Sequence, residues 1–148
     1  MQLPARLVIF RLAGQRLALD LALVSEVTEP PRTWPIPLVP PYFIGAMTSH
    51  GSLVSLLDLG RFLGCGSGDG ERKVLVIDRR LAALALLVDG VERIMLREEV
   101  VSEREGDKPM VSRFLAVDGG EVALLSPELL LEAVEQELHG ILTGGHAA

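Results

Sequence analysis

Histidine, cysteine, serine and aspartate are the side chains with which a 148-residue chain could do covalent or metal chemistry, and here they are sparse. The three histidines, His50, His139 and His146, form no pair at metal-ligand spacing, and Cys65 has no second cysteine for a disulfide or a metal site. Ser49 and His50 adjoin in a turn, but neighbours in sequence need not bring nucleophile and base together. His139 falls at the end of an expected helix, where the helix dipole favours it. Asp58 and Asp89 offer a carboxylate pair; each closes an apolar run before a short turn, and capping explains both more simply. The run Gly-Cys-Gly-Ser-Gly-Asp-Gly at 64–70 does not satisfy G-x-G-x-x-G and is followed by no lysine at P-loop spacing. It opens no long helix that could cradle a phosphate, so it reads as a flexible surface tether. The expectation is a protein without catalytic residues, metal or cofactor.

The elements carrying these residues repeat. Four times an apolar strand, a tight turn and a second apolar strand end on a capping residue: Leu7–Leu19 on Asp20, Phe43–Leu57 on Asp58, Val74–Val88 on Asp89, and Phe114–Leu125 on Ser126. The turns are Ala13-Gly14, Ser49-His50-Gly51, Arg79-Arg80 and Asp118-Gly119-Gly120, rich in residues that tolerate positive φ. Asp20 is placed to cap one turn at Leu21–Leu23. Val24–Thr28 then alternates as a half-exposed strand, and Val91–Met95 echoes it. The segments 17–27 and 86–94 both read apolar strand, aspartate, then a strand with an acidic residue. Six of the nine prolines fall in residues 30–41, which excludes helix and central strand; that stretch should lie extended on the surface, pinned by Trp34 and Ile36. Residues 96–110, charged and holding Pro109, are expected as a loop. Ser126-Pro127-Glu128 is a strong helix start, with Leu129, Leu130, Ala133, Val134 and Leu138 forming a docking stripe. Residues 1–139 form one expected domain and 140–148 a flexible tail.

Single hairpins cannot bury their own apolar faces, so they condense into small barrels or sandwiches. The net charge of −6 and the pI near 5.0 argue against a nucleic-acid partner. Mean hydropathy is high at +0.36, yet the longest uncharged apolar run, Leu81–Val88, falls far short of the about 20 residues a spanning helix needs. No direct membrane insertion is expected, and the cytoplasm is the expected compartment. The 49% hydrophobic content implies that several strands are buried on both faces, or that one face meets a partner.

Taken in order, Phe-Arg-Leu-Ala-Gly-Gln-Arg-Leu-Ala-Leu-Asp (10–20), Val-Ser-Glu-Val (24–27), the proline stretch, Phe-Ile-Gly-Ala-Met (43–47), Gly-Ser-Leu-Val-Ser-Leu-Leu-Asp-Leu (51–59) and Leu-Leu-Val-Asp-Gly-Val (86–91) resemble the CheW-like domain family. The resemblance implies an all-β fold of two five-stranded SH3-like barrels packed around a shared core, with a short C-terminal helix. It also implies a non-enzymatic adaptor in bacterial chemosensory arrays, binding the regulatory domain of a CheA-type histidine kinase and the cytoplasmic tip of a methyl-accepting chemoreceptor. By motif, Val24, Glu26 and Val27 fall on a partner-binding strand, and Gly45 and Gly51 bracket a recognition turn containing Thr48, Ser49 and His50. The family commonly has Gly-x-x-Asn-Leu-Arg-Gly there. This chain has Gly45-Ala46-Met47-Thr48-Ser49-His50-Gly51, so a short side chain, charged only when protonated, replaces arginine's permanent fork. Such a departure suits an altered receptor tip or a non-motility pathway. A small-molecule-binding barrel, using the cleft between barrels, is the alternative from another class.

Overall fold

A computed structural model describes residues 2–66, 68 and 70–144, with side chains described as far as 138. Eleven strands run β1 Arg6–Leu12, β2 Gln15–Asp20, β3 Val24–Thr28, β4 Phe43–Ser49, β5 Ser52–Asp58, β6 Lys73–Ile77, β7 Leu84–Val88, β8 Gly90–Leu96, β9 Ser102–Glu105, β10 Val111–Val117 and β11 Gly120–Leu125. Two helices follow the second and fourth hairpins, α1 Leu59–Leu63 and α2 Pro127–Gly144. Three hairpins close on two residues of positive φ: Ala13 and Gly14 (49° and 79°), His50 and Gly51 (49° and 80°), Asp118 and Gly119 (50° and 73°). Paired positive φ defines the type I′ turn, whose twist matches the flanking strands. The β6–β7 connection spans residues 78–83 instead, opened by an Asp78 carboxylate that accepts from the Arg80 amide at 2.9 Å.

The strands form two sheets, ordered β8-β1-β2-β11-β10-β9 and β3-β6-β7-β5-β4. Both expected barrels are present; the first sheet has six strands, not five, because β9 joins it. Residues 102–105, expected as loop, hold their place by backbone pairing of Ser102 with Ala116 and Glu105 with Arg113, not by apolar burial. All four are exposed and three are charged, as suits an edge strand.

The same pairing sequence runs through both sheets, and the registers make the equivalence residue-specific. Leu17 pairs with Ala123 in parallel, as Leu84 does with Ser55. Both β3 and β8 carry a bulge, at Ser25 between paired Val24 and Glu26, and at Glu92 between paired Val91 and Arg93. Trp34 bridges Ala46 where Arg104 of β9 pairs with Phe114. The chain is therefore two repeats, β1–α1 and β6–α2, that have exchanged their first hairpins: β1–β2 completes the sheet of the second repeat, and β6–β7 that of the first. The hydrogen bonds align 17–27 with 84–94, two residues off the alignment that the aspartates suggest. Asp89 consequently has no kinship with the cap Asp20.

Alternation then sorts the apolar residues into three layers. Val8, Phe10, Leu17, Leu19, Leu75, Leu84, Leu86 and Leu57 fill a core common to both sheets. Leu7, Ile9, Ala18, Met95, Leu115 and Val122 fill one barrel; Met47, Val54, Leu56, Val74, Val76 and Leu87 fill the other. Both faces of β1, β2, β6 and β7 are thus buried, which accounts for the hydrophobic content.

Three of the four expected caps are present. Asp20 accepts from the Ala22 amide at 3.0 Å, Asp58 from Arg61 at 3.3 Å, and the Ser126 hydroxyl from Leu129 at 3.3 Å. Asp89 caps nothing, because β8 begins at the next residue. It is 2% exposed, and its Oδ2 accepts from the amides of Ala13 (2.6 Å) and Gly68 (2.7 Å). Arg72 lies between the two carboxylates, Nη2 3.3 Å from Asp58 and Nε 3.9 Å from Asp89. The glycine run is accordingly tied down: Cys65 and Gly66 donate back to the Gly60 carbonyl, and Gly68 donates to Asp89.

Helix α2 buries Leu130 and Val134, with Leu131 and Leu138 packed beside them, while Leu129 stays exposed. It passes through Gly140 and ends at Gly144, beyond the expected end at 139. A helical glycine costs about 1 kcal/mol against alanine. Residues 145–148, with His146, lie outside the described residues. Tyr42 packs edge-on against Phe43 and Phe62, and burial, with the Glu137 carboxylate of α2 beside it, pushes its phenol up to about 12.

Two predictions follow from these contacts. Asp89→Ala leaves the Ala13 and Gly68 amides without their acceptor and should cost about 3 kcal/mol, whereas Asp20→Ala removes one cap and should cost about 1 kcal/mol; urea unfolding midpoints measure both. Tyr42 is the single tyrosine, so alkaline absorbance titration reports it alone, with a folded midpoint near 12 that falls to about 10 in urea. Its folded value lies above its unfolded one, so the stability from the neutral phenol is complete below about pH 10 and lost as pH climbs through the folded midpoint.

Candidate partner-binding surface

Glu26 closes the second barrel. Strands β3 and β4 stand at opposite ends of their sheet, and the sheet curls until Glu26 Oε1 accepts from the Ser49 hydroxyl at 3.2 Å. Its other oxygen lies 3.4 Å from His50 Nε2, an ionic contact when His50 is protonated. The strand residue and the turn that the sequence singled out separately are one cluster. Within it the roles differ. Ser49 is buried and serves Glu26; Val24 packs against the common core; Val27 (45% exposed), Thr48 and His50 face outward. An exposed pair of this kind contributes at most about 1 kcal/mol, so its value lies in holding the turn against β3.

The two glycines answer to geometry. A Cβ on Gly45 would stand 2.5 Å from the Trp34 carbonyl oxygen, because the proline-rich segment is bonded to β4 there through Trp34 N to Ala46 O (2.8 Å) and Ala46 N to Trp34 O (2.7 Å). Gly51 has open space around it but a φ of 80°. The Trp34 side chain remains 46% exposed, so its backbone is the pinned part.

The internal repeat supplies a control for what is special about this end. Opposite Glu26–His50, the equivalent residues are Arg93 and Asp118, bonded at 2.9 Å with the charges reversed. Val27 and its equivalent Ile94 both keep large apolar side chains in solvent. At two further positions the ends diverge. The outer face of β4–β5 carries Ala46, Thr48, Leu53 and Ser55, none of them charged, with Trp34 beside it under the Arg32 guanidinium; Leu53 is 66% exposed. The positions equivalent to Trp34 and Leu53 hold Arg104 and Glu121, an ion pair at 3.0 Å. Ile94 and Leu53 went unrecognised in the sequence, although each sits at an outward position of an alternating strand, which was signal enough.

Among the described residues, no group of three or more histidine, cysteine or acidic side chains could hold a metal ion, and no helix is long and apolar enough to cross a membrane. Compared with known families, residues 6–135 match the CheW-like domain. The chain belongs to the CheW-like family. That family consists of non-enzymatic scaffolding domains of chemotaxis signal transduction, in keeping with a site built from surface instead of reactive groups. Among solved structures the fold is similar to that of the scaffolding protein TtCheW from Thermoanaerobacter tengcongensis, with a TM-score of 0.70 and 19% identity over 86% of this chain and 87% of that one. No curated protein matches the chain.

In this CheW-like domain Gly45→Ala should push the proline-rich segment off β4, red-shifting the fluorescence of Trp34, the single tryptophan, and destabilising by about 2 kcal/mol. Gly51→Ala should cost about 1 kcal/mol from backbone strain alone and leave the emission unchanged.

Proposed function

We propose that this domain is an adaptor that couples the cytoplasmic tip of a chemoreceptor to the regulatory domain of a CheA-type histidine kinase, with β3 and the β4–β5 turn as a partner surface. The observation that carries the proposal is the uncharged strip beside that turn, set against an ion pair at the equivalent positions of the other barrel. Exposed leucine beside uncharged neighbours marks a surface that becomes covered, and Trp34 at its edge carries the Arg32 guanidinium over its ring, 5.9 Å from the centroid. Val27 supplies an exposed apolar anchor on β3, Thr48 and His50 supply polar contacts, and Glu26 fixes the turn. A scaffold of this kind transmits by linkage: a receptor that binds one kinase-bound arrangement better shifts the kinase by that difference, typically about 1–3 kcal/mol. The proposal places the chain on the cytoplasmic side, at a receptor array, without insertion of its own.

Position 50 sets the chain apart from its family. Glu26 is placed to hold a cation there, and a histidine reaches less far towards a partner than arginine does. His50→Arg should therefore tighten association with the receptor tip, while unchanged affinity would show that the turn does not touch the receptor. The broader test is titration of the purified receptor tip and kinase regulatory domain from the same genome, followed by Trp34 emission. Val27→Arg should weaken one of the two by at least about tenfold, the equivalent of 1.4 kcal/mol, without lowering the melting temperature. If neither partner binds the wild-type protein, the adaptor function is wrong.

A further inference from the structure

Among the described residues, five other than glycine have positive φ, and four of them answer to the fold. Ala13, His50 and Asp118 each open a type I′ turn, and Met110 (69°) packs against the common core. Leu38 is the exception. At φ 59° it takes a backbone state that a bulky L-residue avoids. Its side chain is 85% exposed, more than any other large apolar residue described, and it belongs to none of the three packed cores. Pro37 precedes it in the turn; proline first and positive φ second is the type II pattern, whose second place asks for glycine. Leucine there strains the backbone and stands in water, with no packing inside the fold to offset either.

The tip is also rigid. Prolines at 35, 37, 40 and 41 fix φ at four of the seven residues from 35 to 41. The segment is fastened at both ends: before it by the Trp34–Ala46 backbone bonds, and after it by Phe43 N to Pro40 O (3.0 Å) and Arg61 Nη1 to Pro41 O (3.3 Å). A side chain presented in this way loses little freedom on binding. The chain around it is uncharged, with no aspartate, glutamate, lysine or arginine from Thr33 to Leu57. The second repeat again supplies a control. Its matching connection, 106–110, reads Gly-Asp-Lys-Pro-Met, with two charges and its one large apolar residue packed against the common core. The fold itself does not call for an apolar tip.

Strain kept at an exposed position, where glycine would relieve it, points to a binding role. We propose that Leu38 is an apolar anchor that seats in an uncharged pocket of the kinase's regulatory domain. The anchor presupposes the adaptor function proposed above. A coupling protein must hold receptor and kinase at once, so their surfaces cannot coincide. The His50 turn, assigned to the receptor, leaves β4 at Ser49. Leu38 leads into the opposite end at Phe43, about 20 Å away along the strand. A protruding leucine on an uncharged segment calls for a concave, apolar site in the partner.

Calorimetric titration of the protein with the purified kinase regulatory domain, and in parallel with the purified receptor tip, provides the test. Leu38→Gly should weaken kinase binding by at least about tenfold and leave receptor binding within about twofold. The same change should raise the folding equilibrium constant by roughly threefold, the strain relieved outweighing the added freedom of the unfolded chain. Leu38→Met, which keeps an apolar side chain, should bind the kinase domain within about threefold of wild type. Opposite signs for stability and binding separate an anchor from a structural residue, whose loss would lower both. Kinase binding unchanged by Leu38→Gly overturns the anchor and leaves the adaptor function standing. Weakened receptor binding in its place, or a fall in the folding constant, overturns the anchor as well. If the wild-type protein does not bind the kinase domain at all, the adaptor function falls with the anchor.

Discussion

The molecule depends on one constraint: neither repeat can close a sheet without a hairpin from the other. Because β1–β2 and β6–β7 cross over, each is covered on one side by its host barrel and on the other by the common core. Their middles have no solvent face, which is why Leu7–Phe10, Leu17–Leu19, Val74–Ile77 and Leu84–Val88 are continuously apolar. The outward-facing residues are left chiefly to β3, β4, β5 and β8 to β11, and there the two ends of the molecule differ in charge.

Rigidity and recognition are thereby separated. Asp89 ties the β1–β2 turn and the glycine run to the second sheet. Arg72 spans Asp58 and Asp89, and α2 reaches from the end of β11 to Tyr42 and the second barrel. These contacts hold the barrels in a fixed relation, so that a force or a preference applied at one end reaches the other. The proposed partner surface is organised by one carboxylate, Glu26, that holds a turn.

Period-two alternation and turn residues made the hairpins legible, and the caps at Asp20, Asp58 and Ser126 were legible because a cap is a local interaction. Asp89 was not, since its partners Ala13, Gly68 and Arg72 include one 76 residues away, and nothing local distinguishes a buried acceptor from a cap. Strand β9 escaped because its place comes from backbone pairing and from contacts of Glu103 and Arg104 with β10 and β11, without an apolar residue to betray it. The glycine run looked like a tether on composition; the bond from Gly68 to Asp89 is to a residue 21 positions away. In the candidate site, the resemblance located β3 and the turn separately, and only the curl of the sheet shows that Glu26 joins them. The uncharged strip needed the second repeat for comparison, and that comparison required the hydrogen-bond register.

Exchanged hairpins also bear on symmetry. A chain holding one repeat could finish its sheet only by trading with a twin, as the two halves of a symmetric homodimer would; here both halves lie in one chain. Two halves of one chain need not share one sequence. Once that held, a charge reversal between Glu26–His50 and Arg93–Asp118, or a helix cut to five residues on one side and drawn out to 18 on the other, became heritable asymmetry. A scaffold with two distinguishable ends can be inserted into a larger lattice in one polarity.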